Sequence, residues 1–284
     1  MDLSVITVAW NSSELIEEQI KSVKAGCKKI SFEEIVVDNA STDKTVELIK
    51  KNFPGIKLVE NSKNTGFAFP NNQAAKLAQG EFLLFLNPDM RVEEGSLDNM
   101  VEWMRAHVEV GLASCKLLDK NGSLNMSALP RRFPTVWSQV AIILKIPHLF
   151  PAVLDNYLLK GFDANIEQEV DSVRGSFMLM RRQVYEKLGW AFDPRYFIWF
   201  EDVDICREVK KMGLKVMYTP VVSCIDYIGQ SFKKRDTLWK QKQVTKSMLQ
   251  YFQKWEPWYK WIWIAIFRPF GIFMGWVNDL ITKR

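Results

Sequence analysis

Short apolar runs alternate with helix-like segments near the start of the chain, and this alternation limits the possible fold more than any other feature. Strands separated by helices in this way favour a mostly parallel sheet with helices packed on both faces. We therefore predict an α/β fold. The predicted strands are residues 3–10, 34–38, 56–60 and 82–86, and the predicted helices between them are residues 12–25, 43–52 and 71–78.

Each of these predicted strands ends in polar residues. Asn11 follows the first strand, Asp38 and Asn39 the second, Glu60-Asn61 the third and Asn87-Pro88-Asp89 the fourth. The carboxyl ends of parallel strands lie at one edge of a sheet, and ligands of such folds bind beyond that edge. The pattern predicts a ligand site built from these side chains.

The composition excludes several classes of site. Four cysteines without a CxxC pair argue against a thiolate metal site and favour reduced cytosolic thiols, while two histidines exclude a histidine-rich site. The first residues enter an apolar run at once, without the basic region of a signal peptide.

The net charge of +5 is mild, and the basic residues crowd the last third of the chain. Such a bias fits an anionic partner or a solvated basic face, and we expect no nucleic acid partner.

Residues 130–165 differ from the alternating region, because prolines interrupt their apolar stretches. This apolar insertion is either a set of core helices or a contact for lipid or for an acceptor molecule. Beyond it we predict strands at residues 173–181 and 215–218 and helices at residues 201–212 and 234–255.

The tail is unusually rich in aromatic residues. Trp255, Trp258, Trp261 and Trp263 are followed by further Trp and Phe residues up to Trp276. Dense Trp with flanking cations is typical of a bilayer interface, whereas a spanning helix needs about 20 mostly apolar residues. We predict an amphipathic, membrane-associating segment; the alternatives are packing on the core or on an oligomer partner, and true spanning. The predicted domains are residues 1–232 and the helical segment 233–284.

Asn87-Pro88-Asp89 is the first candidate for chemistry. Mg²⁺ and Mn²⁺ prefer oxygen ligands, often one or two carboxylates together with substrate phosphates. Residues i and i+2 of an extended chain point the same way, and proline keeps the segment out of a helix. Asn87 and Asp89 can therefore face one ion. The alternative is an ordinary turn after a strand.

Two further segments suit a phosphate-bearing nucleotide. Asp38 is placed to accept hydrogen bonds from a base or a ribose. Asn64-Thr65-Gly66-Phe67 opens a helix, where free backbone amides favour phosphate and Gly66 permits a close approach. Ser41 and Thr42, just after Asp38, are more readily explained as helix caps.

An acidic group follows later in the chain. Glu201 and Asp202 open a predicted helix. Either acid can act as a general base, or both can simply stabilise the helix start by interacting with the helix dipole. The aromatic residues Phe197, Trp199 and Phe200 directly precede them. They either form a wall on which a sugar ring stacks or belong to the hydrophobic core. Residues 229–235 are either a loop closing over a diphosphate with its cations or a surface turn.

In this order the motifs resemble glycosyltransferase family 2 of the GT-A fold, especially its rhamnosyltransferase-like bacterial members. The resemblance spans roughly residues 3–255. The stretches that carry it are Val36 to Asp43, Asn64 to Ala68, Phe82 to Asp89, Arg174 to Arg182 and Phe200 to Asp204.

The resemblance implies a role for each motif. Asp38 is expected to contact the nucleotide base, Asn87 and Asp89 to stand where the family has its metal-binding Asp-x-Asp, and Glu201 and Asp202 to hold the catalytic base. The expected cofactor is Mg²⁺ or Mn²⁺. The full set of expected nucleotide-sugar-binding residues is Ala9, Asn11, Asp38, Asn39, Asn64, Gly66, Phe67, Asn87, Gly175, Ser231 and Lys233.

One departure from the family pattern concerns the metal. Asp226 stands where many members have a histidine that helps to hold metal or phosphate, and we place Asp226 with Asn87 and Asp89 as an expected metal ligand. An acid there adds negative charge near a diphosphate, so metal use is expected to differ.

The implied activity is an inverting transfer, by metal-assisted single displacement, of L-rhamnose from dTDP-L-rhamnose. The implied acceptor is a polyprenyl-diphosphate-linked glycan or a polysaccharide, at the cytoplasmic face of the membrane, with the protein bound peripherally. The alternatives are a UDP-hexose donor or a non-catalytic membrane-bound scaffold of the same fold. Assembly of the chain into a homo-oligomer is a further possibility.

Overall fold

A computed structural model describes residues 1–227 and 236–282 of the chain. Within these residues, nine strands form one sheet in the order β3-β2-β1-β4-β8-β6-β9-β5, and β7 pairs with the start of β9. The strands are β1 (Leu3–Ala9), β2 (Phe32–Asp38), β3 (Lys57–Glu60), β4 (Phe82–Leu86), β5 (Met90–Val92), β6 (Val110–Leu118), β7 (Gln168–Glu169), β8 (Phe177–Arg181) and β9 (Lys215–Asp226).

The sheet is mixed but mostly parallel. β1 to β4 run in one direction, and β6 and β9 share it, whereas β5, β7 and β8 run in the opposite direction. The predicted parallel arrangement of the first four strands is therefore confirmed. Because Ala9 lies opposite Asp38 in the register of β1 and β2, the polar residues that follow these strands meet at one edge.

Helices flank both faces of the sheet. They are α1 (Ile16–Gly26), α2 (Thr45–Asn52), α3 (Ala68–Leu77), α4 (Ser96–Ala106), α5 (Val136–Ile143), α6 (Arg182–Leu188), α7 (Glu201–Lys211), α8 (Thr237–Trp255) and α9 (Trp258–Thr282).

Successive strand residues point to opposite faces of the sheet, and two apolar cores result. Leu83 and Phe85 pack in one core with residues of α3 and α7. Leu84 packs in the other with residues of α1 and α4. Burial on both faces explains why β4 is apolar throughout instead of alternating with polar residues.

β9 is longer than the sequence predicts. The predicted strand ended at Tyr218. Pro220 follows closely, and proline lacks a backbone donor and normally interrupts a ladder. In the structure, pairing with β6 shifts register between Thr219 and Ser223, so Pro220 lies in an irregular stretch and the strand continues to Asp226. The longer strand carries Asp226 to the edge where β1, β2 and β4 also end.

The apolar insertion and the tail pack together. Helix α5 begins with a capping box between Thr135 and Ser138 and forms a third apolar cluster with residues of α8 and α9, such as Tyr251 and Ile264. No helix in the described parts of the chain has both the length and the apolarity to cross a membrane.

A buried charge cluster joins α8 to the α/β domain. The Lys254 ammonium lies 3.0 Å from Asp193, 2.6 Å from Asp204 and 2.8 Å from Glu208. The indole of Trp255 also donates to Asp204, at 2.6 Å. Burial would lower the pKa of Lys254, but its hydrogen bonds to the carboxylates outweigh burial and raise that pKa. One cation from α8 thus pairs with acids on α7 and on the segment that precedes it.

Candidate active site

A cavity of about 320 Å³ opens at the carboxyl ends of β1, β2, β4 and β9. This is the edge at which the sequence predicts a ligand site. The cavity brings together ten of the predicted site residues: Asn39, Asn64, Gly66, Phe67, Asn87, Asp89, Gly175, Glu201, Asp202 and Asp226.

The other predicted site residues have different positions. Ala9 is fully buried and Asn11 accepts a hydrogen bond from the Thr42 amide, and neither lines the cavity. Asp38 is buried and does not line the cavity. Ser231 and Lys233 lie outside the described residues.

Asp38 has one carboxylate oxygen without a protein partner. Its Oδ2 accepts the Ser41 amide at 3.0 Å, but its Oδ1 is buried with no hydrogen bond from the described residues. An unsatisfied buried acceptor is unfavourable by roughly 1–3 kcal/mol, so such a group calls for a donor from outside the chain.

Asn39 holds the loop before α3 in place. Its Nδ2 donates to the Gly66 carbonyl at 2.7 Å, and its Oδ1 accepts the Thr65 amide at 3.0 Å. Gly66 has φ +88°, and a Cβ there would overlap the carbonyl of Phe197, which accepts the Phe67 amide at 2.6 Å. Glycine at this position is thus needed for packing against the Phe197 segment, a reason that the sequence does not reveal.

The Asn87-Pro88-Asp89 segment is fixed by contacts with two neighbouring strands. The Asn87 amide donates to the Ser176 carbonyl, next to β8, at 3.0 Å. The Asp89 carbonyl accepts the Tyr227 amide, just after β9, at 3.0 Å. The buried guanidinium of Arg91 donates to the Pro88 carbonyl at 3.2 Å.

Asp226 lies beside this segment. It ends β9 opposite Met90, the residue after Asp89, and its carboxylate accepts a 3.2 Å hydrogen bond from Asn125. Asp226 therefore reaches the same edge as Asp89, as expected for two ligands of one ion.

The donor set of Asn87, Asp89 and Asp226 fits Mg²⁺ or Mn²⁺. All its donors are oxygens, which these ions prefer, and two carboxylates balance a divalent charge. Within the described ranges no three His, Cys, Asp or Glu residues cluster as a metal site. A site with two carboxylates leaves positions for substrate phosphates, which is the usual arrangement for Mg²⁺.

An unusual backbone precedes the acidic pair. Trp199 and Phe200 both have positive φ values, 66° and 69°, a conformation that is strained for aromatic residues. This double turn starts α7 at Glu201 and directs the pair into the cavity.

Glu201 and Asp202 have different surroundings. Glu201 is buried, and burial, followed by repulsion from Asp202, raises its pKa well above the usual value. Its Oε2 has no hydrogen bond within the described part of the chain. Asp202 instead accepts the amides of Gly175 at 3.2 Å and Val203 at 2.8 Å. Backbone donors of this kind orient a carboxylate, so Asp202 is the better candidate for a base.

Arg174 and Trp239 are two of the cavity residues that the predicted set did not include. Arg174 lines the cavity beside Gly175, and burial, together with the nearby Arg131 guanidinium, lowers its pKa. The sequence signal for Arg174 was its place at the start of the stretch Arg174 to Arg182, which carries part of the family resemblance. Trp239 comes from α8 and reaches the cavity from the C-terminal segment, and no local pattern distinguishes it from the other tryptophans.

Comparison with known proteins identifies the family. The profile of glycosyl transferase family 2 matches residues 4–189, so the match ends before the Glu201-Asp202 pair. The O-antigen biosynthesis protein RfbC of Myxococcus xanthus is 29% identical over 233 residues, which are 81% of this chain but 17% of RfbC. The N-acetylglucosaminyl-diphospho-decaprenol L-rhamnosyltransferase of Mycobacterium tuberculosis is 24% identical, and the match covers 81% of this chain and 77% of that protein.

A solved structure supports the fold. The mannosyltransferase PcManGT from Pyrobaculum calidifontis, in complex with GDP-Man and Mn²⁺, superposes with a TM-score of 0.58 at 20% identity, covering 97% of this chain and 73% of that one. The family profile spans well over half of the chain. With its GT-A fold, the chain belongs to glycosyltransferase family 2, a family of enzymes.

Proposed function

We propose that this protein is an inverting glycosyltransferase that moves a sugar from a nucleotide-diphosphate donor to an acceptor hydroxyl. The observation that carries the proposal is the single cavity that joins the oxygen donors Asn87, Asp89 and Asp226 to the acidic pair Glu201 and Asp202. Such a transfer needs a leaving diphosphate with its charge neutralised and a base for the hydroxyl. The oxygen donors would neutralise the diphosphate, and the acidic pair would supply the base.

In the proposed step, the Asp202 carboxylate takes the proton of the acceptor hydroxyl. The hydroxyl oxygen forms a bond to the anomeric carbon from one face, while the bond to the diphosphate oxygen breaks on the other and the diphosphate keeps the electron pair. One displacement of this kind inverts the anomeric centre. A bound Mg²⁺ or Mn²⁺ supplies charge neutralisation to the leaving diphosphate. Asn87, Asp89 and Asp226 would hold this ion.

We further propose L-rhamnose from dTDP-L-rhamnose as the transferred sugar, and a polyprenyl-diphosphate-linked glycan as the acceptor. The support is the name of the mycobacterial relative, an L-rhamnosyltransferase acting on a lipid diphosphate. A UDP-hexose donor is the alternative. Hydrolysis of a panel of nucleotide sugars by the full chain tests the donor. Selective hydrolysis of dTDP-L-rhamnose supports rhamnose as the transferred sugar. Preference for a UDP-sugar contradicts this assignment and supports the UDP-hexose alternative.

The metal assignment makes a direct prediction. Asp89→Ala is expected to weaken Mn²⁺-dependent binding of the matching nucleoside diphosphate at least about 30-fold, since a ligand carboxylate contributes several kcal/mol of charge stabilisation. Titration calorimetry with UDP and with dTDP, each with and without Mn²⁺, measures this change.

Asp155→Ala is the matched control, because this aspartate pairs with Lys160 at the surface, away from the cavity. Unchanged Mn²⁺-dependent affinity in Asp89→Ala contradicts the metal site. Binding of neither nucleotide by the wild-type protein instead favours the non-catalytic scaffold, for which the acid at Asp226 is the main argument.

We also propose that the protein attaches peripherally to the cytoplasmic face of a membrane through α9. This 25-residue helix, about 37 Å long, presents an apolar stripe at spacings of three and four residues, and each member is 40–58% exposed. Exposed apolar surface of this extent marks an interaction site, and Trp-rich stripes are typical of bilayer interfaces. The stripe consists of Tyr259, Trp263, Ile266, Phe270, Phe273, Trp276 and Leu280.

The apolar insertion extends this stripe sideways. The indole of Trp137, on α5, lies 5.7 Å from that of Trp263 and is 62% exposed. Leu149 and Phe150, farther along the insertion, are also largely exposed. A flat lipid surface contacts both segments at once, which supports a membrane as the occupant.

The triple variant Phe270→Ser, Phe273→Ser, Trp276→Ser is expected to reduce binding to vesicles at least about 100-fold. Each removed ring takes away roughly 1.5–3 kcal/mol of apolar burial. Flotation with phosphatidylglycerol–phosphatidylethanolamine vesicles measures the effect, and Ile166→Ser, at an exposed apolar residue elsewhere, is the control. If the triple variant floats like the wild type but dissociates a dimer in sedimentation, the stripe is an oligomer interface.

A further inference from the structure

Three aromatic rings from different parts of the chain line the cavity together. The ring of Trp239 lies 6.3 Å from that of Phe197 and 6.0 Å from that of Trp199, measured between centroids, and all three border the cavity. Phe197 and Trp199 belong to the α/β domain, whereas Trp239 comes from the first turn of α8. The cavity is therefore completed by the C-terminal segment.

The last turns of α9 fix the position of this first turn. The buried Asp279 carboxylate accepts the Thr237 amide at 3.0 Å and the Leu238 amide at 2.8 Å. The Asp236 side chain accepts the amide of Trp239 itself at 2.6 Å. The amides at a helix start have no partners within the helix, so these two acids orient the turn that carries Trp239.

We propose that Phe197, Trp199 and Trp239 form the subsite for a sugar ring of the acceptor, and that Asp279 is a positioning residue acting through Trp239. The acceptor hydroxyl must lie at the base, and Phe197 and Trp199 directly precede the Glu201-Asp202 pair in the chain. The C–H face of a pyranose ring is apolar and packs on aromatic rings, whose burial supplies much of the affinity at such sites. The assignment to the acceptor rests on the proposed transferase function.

Saturation-transfer NMR with methyl glycosides of N-acetylglucosamine, glucose, galactose and rhamnose tests the subsite without turnover. We expect the wild-type chain to bind at least one of them. Trp239→Ala should raise its Kd about 10-fold or more, as for the loss of one large apolar contact. Trp258→Ala, at an exposed tryptophan at the start of α9, is the matched control and should leave the Kd unchanged. If Trp239→Ala does not fold, Trp239→Leu takes its place.

The role of Asp279 is tested by a double-mutant cycle. Asp279→Ala should raise the same Kd several-fold, and Asp279→Asn, which keeps an acceptor oxygen, should restore most of the affinity. In the Trp239→Ala background, Asp279→Ala should have no further effect. An additive effect there means that Asp279 acts by general stability, and the positioning role is overturned.

The subsite itself is overturned if no glycoside binds, or if binding is the same in Trp239→Ala. Calorimetry of the wild-type chain with UDP and dTDP separates this result from the proposed function. Nucleotide binding with an unchanged glycoside Kd refutes the subsite alone. Loss of glycoside binding in Trp239→Ala without any nucleotide binding refutes the transferase and leaves a sugar-binding subsite.

Discussion

Asp202→Asn is expected to lower kcat by about 100- to 10,000-fold, the range that a general base contributes. The asparagine keeps the shape of the side chain and can still accept the Gly175 amide, so the loss falls on proton transfer. Nucleotide affinity should change little, because the expected metal ligands lie at the ends of β4 and β9 and not on α7. Initial rates at saturating donor, with calorimetry on the same samples, measure both quantities.

Glu201→Gln provides the comparison within the acidic pair. Burial and the neighbouring Asp202 raise the pKa of Glu201 well above its usual value, so its surroundings work against the charged form, and a neutral amide avoids that cost. We therefore expect a much smaller loss of kcat than for Asp202→Asn. If Glu201→Gln instead lowers kcat more than Asp202→Asn does, Glu201 is the base.

The second large effect concerns stability. Lys254→Met is expected to lower the free energy of unfolding by about 3–5 kcal/mol, because removal of one partner leaves buried charges uncompensated. Asp193, Asp204 and Glu208 all lose their ammonium partner. Among the described residues, Asp204 then keeps the neutral donors Tyr196 and Trp255. Methionine preserves most of the side-chain volume, so the effect reports on charge.

Urea unfolding followed by circular dichroism measures this change. Lys260→Met is the control, since Lys260 pairs with Glu256 at the surface of α9, and exposed pairs contribute about 0–1 kcal/mol. A loss below about 1 kcal/mol in Lys254→Met means that the carboxylates find other compensation, and the cluster then does not hold α8 in place.

Local sequence patterns predicted the N-terminal half of the sheet and its helices. The first four strands and the helices between them follow from apolar runs, and their parallel pairing follows from the intervening helices. The polar strand ends then lie at one edge because all four strands share one direction. For this reason Asn39, Asn87 and Asp89 could be assigned to one cavity before any coordinates were known.

The remaining features depend on contacts between distant segments. The need for glycine at residue 66 comes from the carbonyl of Phe197, 131 residues later in the sequence. The extent of β9 depends on pairing with β6, which tolerates Pro220 at a register shift. Trp239 lines the cavity from a turn of α8 that Asp279, 40 residues later, holds through the Thr237 and Leu238 amides. None of these contacts leaves a periodic signal in the sequence.

The late position of Lys254 and Asp279 in the chain has a consequence for biosynthesis. Domains fold progressively from the N-terminus as the ribosome releases them. The sheet and the edge that carries Asn87, Asp89 and Asp226 can form before α8 and α9 have left the ribosome. The charge cluster at Asp204 and the contact of Trp239 with Phe197 form later, because they need Lys254 and Asp279, which follow the sheet in the chain. The nascent protein therefore completes its cavity only after Asp279 has left the ribosome, at the stage when the stripe on α9 is also exposed.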